Sequence, residues 1–325
     1  MNKMAALFMA AVLLITAACQ RKDLLDPHNH YNILINASFD EHARDQLISN
    51  KSEGYAKPGE PRTTSYVLYE KNTKKIAYSG FFNGLQGGLY VEEGIYDLLV
   101  YTSDFNEYDA NFYRGLERTD IAETYTRQSA IPGASSRSDV TEVYMVEPDP
   151  TFAVLSEKIV VLDGYEDQLI EVEFVQKSFK YYLKIKAKGL HQIQSASLNI
   201  SGMYTSAYLI HEGHRMNEAG TQTVDLQILM SRSPGAGIGE GELYGEFWSF
   251  GPNQREDIKH SITLRFLSGE MITMRLQEDL TSQIKALTRG GEIKVSEEIE
   301  IRGPSGGFQP GVGDWDDRTD IDIIL

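Results

Sequence analysis

The chain has 325 residues, room for two domains of ordinary size. Its 47 acidic residues against 31 basic ones give a net charge of −16, a surface that repels nucleic acid and anionic lipid head groups. A single cysteine excludes any internal disulfide, while 18 Tyr, 13 Phe and 28 Gly suit a folded, turn-rich β protein rather than a disordered chain.

Residues 1–18 read as an export signal. Lys3 supplies positive charge, residues 4–15 are apolar, and Thr16-Ala17-Ala18 are small residues ahead of Cys19. The apolar run is shorter than the ~20 residues a spanning helix needs. A lone cysteine in this place resembles the lipobox of bacterial lipoproteins, with Thr16 where that pattern usually has Leu. The resemblance implies cleavage before Cys19, acylation of its sulfur and membrane attachment through the lipid. Stable anchoring takes more than one acyl chain. The competing reading is an ordinary signal peptide or N-terminal anchor with a chance cysteine. Residues 19–30 then hold the lipidated Cys19 and a polar tether. His28 and His30 lie there without the further His or Cys of a metal site.

The first strand is expected over residues 31–39, where Ile33, Ile35, Ala37 and Phe39 alternate with Asn32, Leu34, Asn36 and Ser38. A short helix follows over 41–49. A loop rich in Gly and Pro spans 51–62, and residues 63–70 and 75–82 read as a hairpin. Residues 94–102 are nearly continuously apolar, the mark of a strand buried on both faces or central in a sandwich. Residues 129–139 read as an exposed loop, and Pro148 and Pro150 punctuate the chain before a strand at 152–162.

Residues 169–187 carry the boundary signal. Ile170, Val172 and Phe174 share one parity; Phe179, Tyr181, Leu183 and Ile185 share the other. A regular strand cannot change faces, because its side-chain period is two. Either a β-bulge lies at Gln176-Lys177-Ser178 or the chain changes domain there, and the domain change is preferred. The expected units are residues 31–176 and 177–325. Alternation recurs through Leu198, Val224, Ile262, Ile272, Ile293 and Ile321, with a helical stretch only at 281–288. The pattern is all-β, best met by two antiparallel β-sandwiches in tandem, with no internal sequence repeat.

No constellation of residues carries a chemistry. His211-Glu212-Gly213-His214 has the wrong spacing for a zinc helix, and Gly213 breaks helix. The glycine-rich stretch 235–241 lacks the ending of a phosphate loop and reads as a hairpin connection. Asp314, Asp316, Asp317, Asp320 and Asp322 lack calcium-loop spacing and read as a solvated edge. No catalytic residue, metal or cofactor is expected.

Six stretches belong together: the signal ending at Cys19, the strand opening at Asn32, Gly94-Ile-Tyr-Asp-Leu-Leu-Val-Tyr, Pro148-Asp-Pro-Thr-Phe152, Tyr182-Leu-Lys-Ile-Lys-Ala-Lys-Gly189 and the ending Gly313-Asp-Trp-Asp-Asp-Arg. Together they resemble the fimbrillin-like surface lipoproteins of Bacteroidales, in an uncharacterised domain-of-unknown-function branch near the anchor and accessory subunits. The resemblance implies two transthyretin-like sandwiches, an outer-membrane location facing the exterior, and pilus partners joined by strand exchange. That is β-augmentation, with main-chain hydrogen bonds giving affinity. Stalk members of that group are cut after a loop Arg; Arg62, Arg127 and Arg137 lie in candidate loops but match no motif, and an anchor needs no cut. The alternative reading is a surface glycan-binding lipoprotein. Its candidate contacts are Trp248, within Phe247-Trp248-Ser249-Phe250, and Trp315; for Trp248 a place in a core strand is the favoured reading.

Overall fold

The computed structural model describes residues 31–48, 61–104, 111–129, 144–162, 168–211, 219–231, 237 and 239–302. In chain order the first half carries β1 (Ile33–Phe39), α1 (Glu41–Ile48), β2 (Thr63–Glu70), β3 (Ile76–Asn83), β4 (Gln86–Leu89), β5 (Gly94–Asp104), β6 (Asn111–Arg114), β7 (Glu123–Thr126), β8 (Gln128–Ser129), β9 (Tyr144–Met145), β10 (Phe152–Val161) and β11 (Gln168–Gln176). The second half carries β12 (Phe179–Lys188), β13 (Ile193–Tyr204), β14 (Ser206–Tyr208), β15 (Ala219–Met230), β16 (Gly241–Ser249), β17 (His260–Phe266), β18 (Met271–Arg275), α2 (Thr281–Ala286) and β19 (Gly291–Glu300). The protein is all-β, as its alternating sequence predicts.

The alternation of β1 works as a strand should: Ile33, Ile35, Ala37 and Phe39 are buried and the residues between them are half-buried. β1 pairs with β11 in parallel, from Ile33 opposite Gln168 to Phe39 opposite Phe174, and with β4 antiparallel on its other side. The facing sheet runs β3-β2-β5-β10, antiparallel throughout. Only one corner joins the two sheets, where Phe152 and Ala153 pair with Gln176 and Val175. Beyond it β10 and β11 splay apart. Between the sheets Phe39, Phe152 and Phe174 meet with ring centroids 4.8–6.5 Å apart. Burying each such ring contributes roughly 1.5–3 kcal/mol. Asp40 starts α1, its Oδ1 accepting the Ala43 N–H at 2.6 Å.

β5 is buried on both faces from residue 96 to 102. Tyr96, Leu98 and Val100 enter the core between the sheets. Leu99 and Tyr101 point outward into a second cluster with Val67, Tyr69, Ala122 and Leu209. The chain around residues 113–122 covers that outer face, tied down where the Tyr69 hydroxyl donates to Leu116 O at 2.6 Å.

The second sandwich pairs a β18-β17-β13-β15 sheet with a β15-β16-β12-β19 sheet. β15 serves both: its residues up to Leu226 bond to β13, and residues 227–230 bond to β16. Tyr181, Leu183, Ile185, Leu198, Ile200, Phe247 and Ile262 fill the core between them. Among the described residues its first and last strands, β12 and β19, lie side by side in parallel. The first sandwich closes the same way with β1 and β11. These two pairs depart from the antiparallel expectation. A parallel neighbour needs a long crossover, and here the rest of each sandwich supplies it.

Another difference concerns residues 111–145, placed with the first half by position. β7 pairs with β14, and β9 pairs with β15. This part of the chain therefore hydrogen-bonds to the second half. Strands of two to four residues carry no periodic signal, so the sequence is silent about their partners.

Candidate functional site

A β-sandwich offers two kinds of surface to a partner: faces and edges. Among the described residues, no group of three or more His, Cys, Asp or Glu is placed to hold a metal ion. Nor is any helix there long and apolar enough to cross a membrane.

The edge that stands out is β11. On one side it is bonded to β1 along its length; on the other it meets β10 only at Val175 and Gln176. Residues 168–174 therefore present an edge without a ladder partner among the described residues. The strand is free of Gly and Pro, and alternates in burial from Leu169 to Gln176. Leu169 within it is 59% exposed, and Leu162, just after β10, is 71% exposed. The neighbouring edge of β10 is interrupted by a bulge. This bulge, between Ser156 and Ile159, breaks its register, and Lys158 sits at φ 59°. Asp97 holds the bulge in place. Its carboxylate accepts the Lys158 N–H at 3.0 Å, Lys71 Nζ at 2.6 Å and Lys74 Nζ at 2.7 Å. Burial alone pushes this carboxyl up, but the bonds from Lys71, Lys74 and the Lys158 N–H together hold it below the usual range.

The two sandwiches are stitched rather than merely linked. Lys177-Ser178 is the whole connection between β11 and β12; both N–H groups donate to Thr151 O, at 2.8 and 3.3 Å. The Gln46 side chain on α1 accepts from Gln176 Nε2 at 2.6 Å and from the Lys180 N–H at 3.1 Å, and donates to Arg289 O at 2.8 Å. Glu147, before β10, accepts the Trp248 N–H at 2.7 Å. Burial pushes its carboxyl up to about 7; the Trp248 N–H opposes this, Asp149 and Glu246 add to it, and Lys180 opposes it again. Lys180 itself is buried and ion-paired with Glu246.

The residues singled out from sequence fall as follows. Trp248 is 6% exposed and packs in the core of the first sandwich although its strand belongs to the second. Its ring is part of the stitching and offers no exposed platform to a ligand. Nothing in the alternation of β16 says which of two cores an inward residue enters. Cys19, Trp315, Arg137, residues 212–214 and the aspartates of 314–322 lie outside the described residues. His211 O accepts from Lys177 Nζ at 3.3 Å. The glycine-rich stretch ends in the connection from β15 to β16, closed by the Ser231 N–H donating to Glu240 O at 2.8 Å. Arg62 and Arg127 are exposed.

Fold and edge define an all-β protein of two sandwiches in which β11 carries an open edge among the described residues. The chain belongs to the family described as Domain of unknown function (DUF5119), whose model matches residues 18–225. No curated protein matches it. Among solved structures it is similar to a candidate adhesin from Bacteroides ovatus, with a TM-score of 0.54 and 15% identity, covering 88% of this chain and 97% of that one. The fimbrial anchor protein Mfa2 from Porphyromonas gingivalis matches with a TM-score of 0.43 and 10% identity, over 81% of this chain and 88% of that one. At these identities the likeness is one of fold.

Proposed function

We propose that this protein is a structural subunit of the cell surface, lipid-anchored through Cys19 to the outer membrane and facing outward, in the anchor or accessory position of a fimbria. The observation that carries the proposal is the unpaired edge of β11 beside a bulged β10. A strand from a neighbouring subunit adds there through main-chain hydrogen bonds, while its apolar side chains meet Leu162 and Leu169. The fold shared with a candidate adhesin supports it, and so do the signal and Cys19.

The test is polymer incorporation. Surface fibres sheared from cells making the protein are resolved with and without boiling and probed by immunoblot. A ladder that collapses on boiling, absent when Glu171 and Glu173 are both replaced by Pro, is expected. A single monomer band beside laddering by other subunits overturns the reading. Metabolic labelling with an alkynyl fatty acid checks the anchor: label on the wild type is expected to vanish with Cys19→Ala.

A further inference from the structure

The hairpin of β6 and β7 carries a feature that the strand-exchange reading does not use. Phe112 and Tyr125 are cross-strand partners with ring centroids 5.6 Å apart. The Arg114 guanidinium lies over the Tyr125 ring at 4.7 Å, and the Arg127 guanidinium over the Phe112 ring at 5.1 Å. Two rings and two cations thus form one ladder. Arg114 is ion-paired with Glu123, its cross-strand partner. Arg127 has no ion pair among the described residues and is exposed. Beside the ladder is a cleft of about 460 Å³, in the size range of small-ligand sites, lined also by Thr126, Met145 and Thr205. Thr126 is 5% exposed, and its Oγ1 has no hydrogen-bond partner among the described residues.

Each element points to one ligand chemistry. A guanidinium held over a ring is already partly ordered, so less rotamer entropy is lost when its N–H fork engages an anion. Carboxylates suit that fork through two parallel hydrogen bonds. One uncommitted cation calls for one negative charge, and the chain's −16 disfavours a polyanion. Aromatic rings, a methionine and the Thr126 hydroxyl suit a ring with C–H faces and hydroxyl groups. We propose that this cleft binds a single carboxylate-bearing sugar, a sialic or uronic acid residue, with Arg127 on the carboxylate.

Isothermal titration of the full chain in detergent tests this. The probes are the methyl glycosides of N-acetylneuraminic acid and galacturonic acid, neutral methyl galactoside, acetate, and a short peptide ending in Glu. One acidic sugar is expected to bind at least about tenfold more tightly than galactoside, acetate and peptide. Arg127→Ala is expected to weaken it by about tenfold or more, and Arg127→Lys by less, since Lys keeps the charge without the fork. Arg127 is exposed, so both variants should melt like the wild type. The tighter of the two acidic sugars identifies the source. Equal binding of galactoside, equal binding of the peptide, no binding at millimolar sugar, or unchanged affinity in Arg127→Ala each overturns the proposal. Fibre ladders are untouched by any of these results, so this site and strand exchange fail separately.

Discussion

Replacing Trp248 by Ala tests whether the two sandwiches share a core. A buried Trp hides ~150–250 Å² of surface. At ~25 cal/mol per Å² that corresponds to roughly 4–6 kcal/mol, an upper bound because unfolded chains already hide part of it. Truncation also leaves a cavity whose walls relax only partly, and such changes cost ~3–5 kcal/mol. Trp248 is 6% exposed and packs with residues of the first core, so the full range applies. The assay is urea unfolding followed by circular dichroism, which does not depend on the removed fluorophore, together with amide hydrogen exchange. Faster exchange is expected in β1 and β11, far along the chain from the substitution. A loss below about 1 kcal/mol, or acceleration confined to β16, refutes the shared core.

Three further outcomes follow from the junction and the bulge. Gln46→Ala removes two buried hydrogen bonds and one part-buried one that tie α1 to β11, β12 and Arg289, and should lower stability by about 2–3 kcal/mol in the same urea assay. Glu147 titrates near 7 in the folded chain against about 4.3 unfolded, so the native state binds its proton more tightly. Stability should therefore fall as pH rises from about 4 through 7, by up to ~3 kcal/mol, and Glu147→Gln should flatten that slope between pH 5 and 8. Asp97→Ala releases the β10 bulge and should cost about 2 kcal/mol, less than a fully buried pair because Lys71 and Lys74 are partly solvated. Asp97 is depressed when folded, so its contribution is present above about pH 3.9 and lost as pH falls through the folded value. Urea midpoints of wild type and variant should converge at strongly acidic pH.

What the sequence shows best is what depends on period alone. The alternation of β1, β11 and β12, the continuous burial of β5 and the short helix behind Asp40 are all legible, because each is decided by residues within one strand or one turn. The change of parity at Gln176 coincides with the two-residue passage from β11 to β12. Pairing is another matter. Nothing local tells residues 123–126 to seek β14, or β15 to change sheets at Leu226. The cleft at Arg127 was visible only as scattered Phe, Tyr and Arg; it needs the register of β6 against β7 to bring Phe112 opposite Tyr125. Trp248 shows the same limit, since burial was readable from its apolar neighbours and the choice of core was not.

The parallel closing strands decide how this molecule bears a pull. A load applied between residues 31 and 302 drags β1 by its beginning, while β11 is drawn from its end. The two neighbours then slide past one another lengthwise. Their seven facing residue pairs, Ile33–Gln168 to Phe39–Phe174, are strained together instead of peeling away singly. β12 and β19 meet the same geometry. Resistance to force is set by the unfolding rate rather than by equilibrium stability. Two shear clamps in series suit a chain held at one end, whatever is fastened to the other.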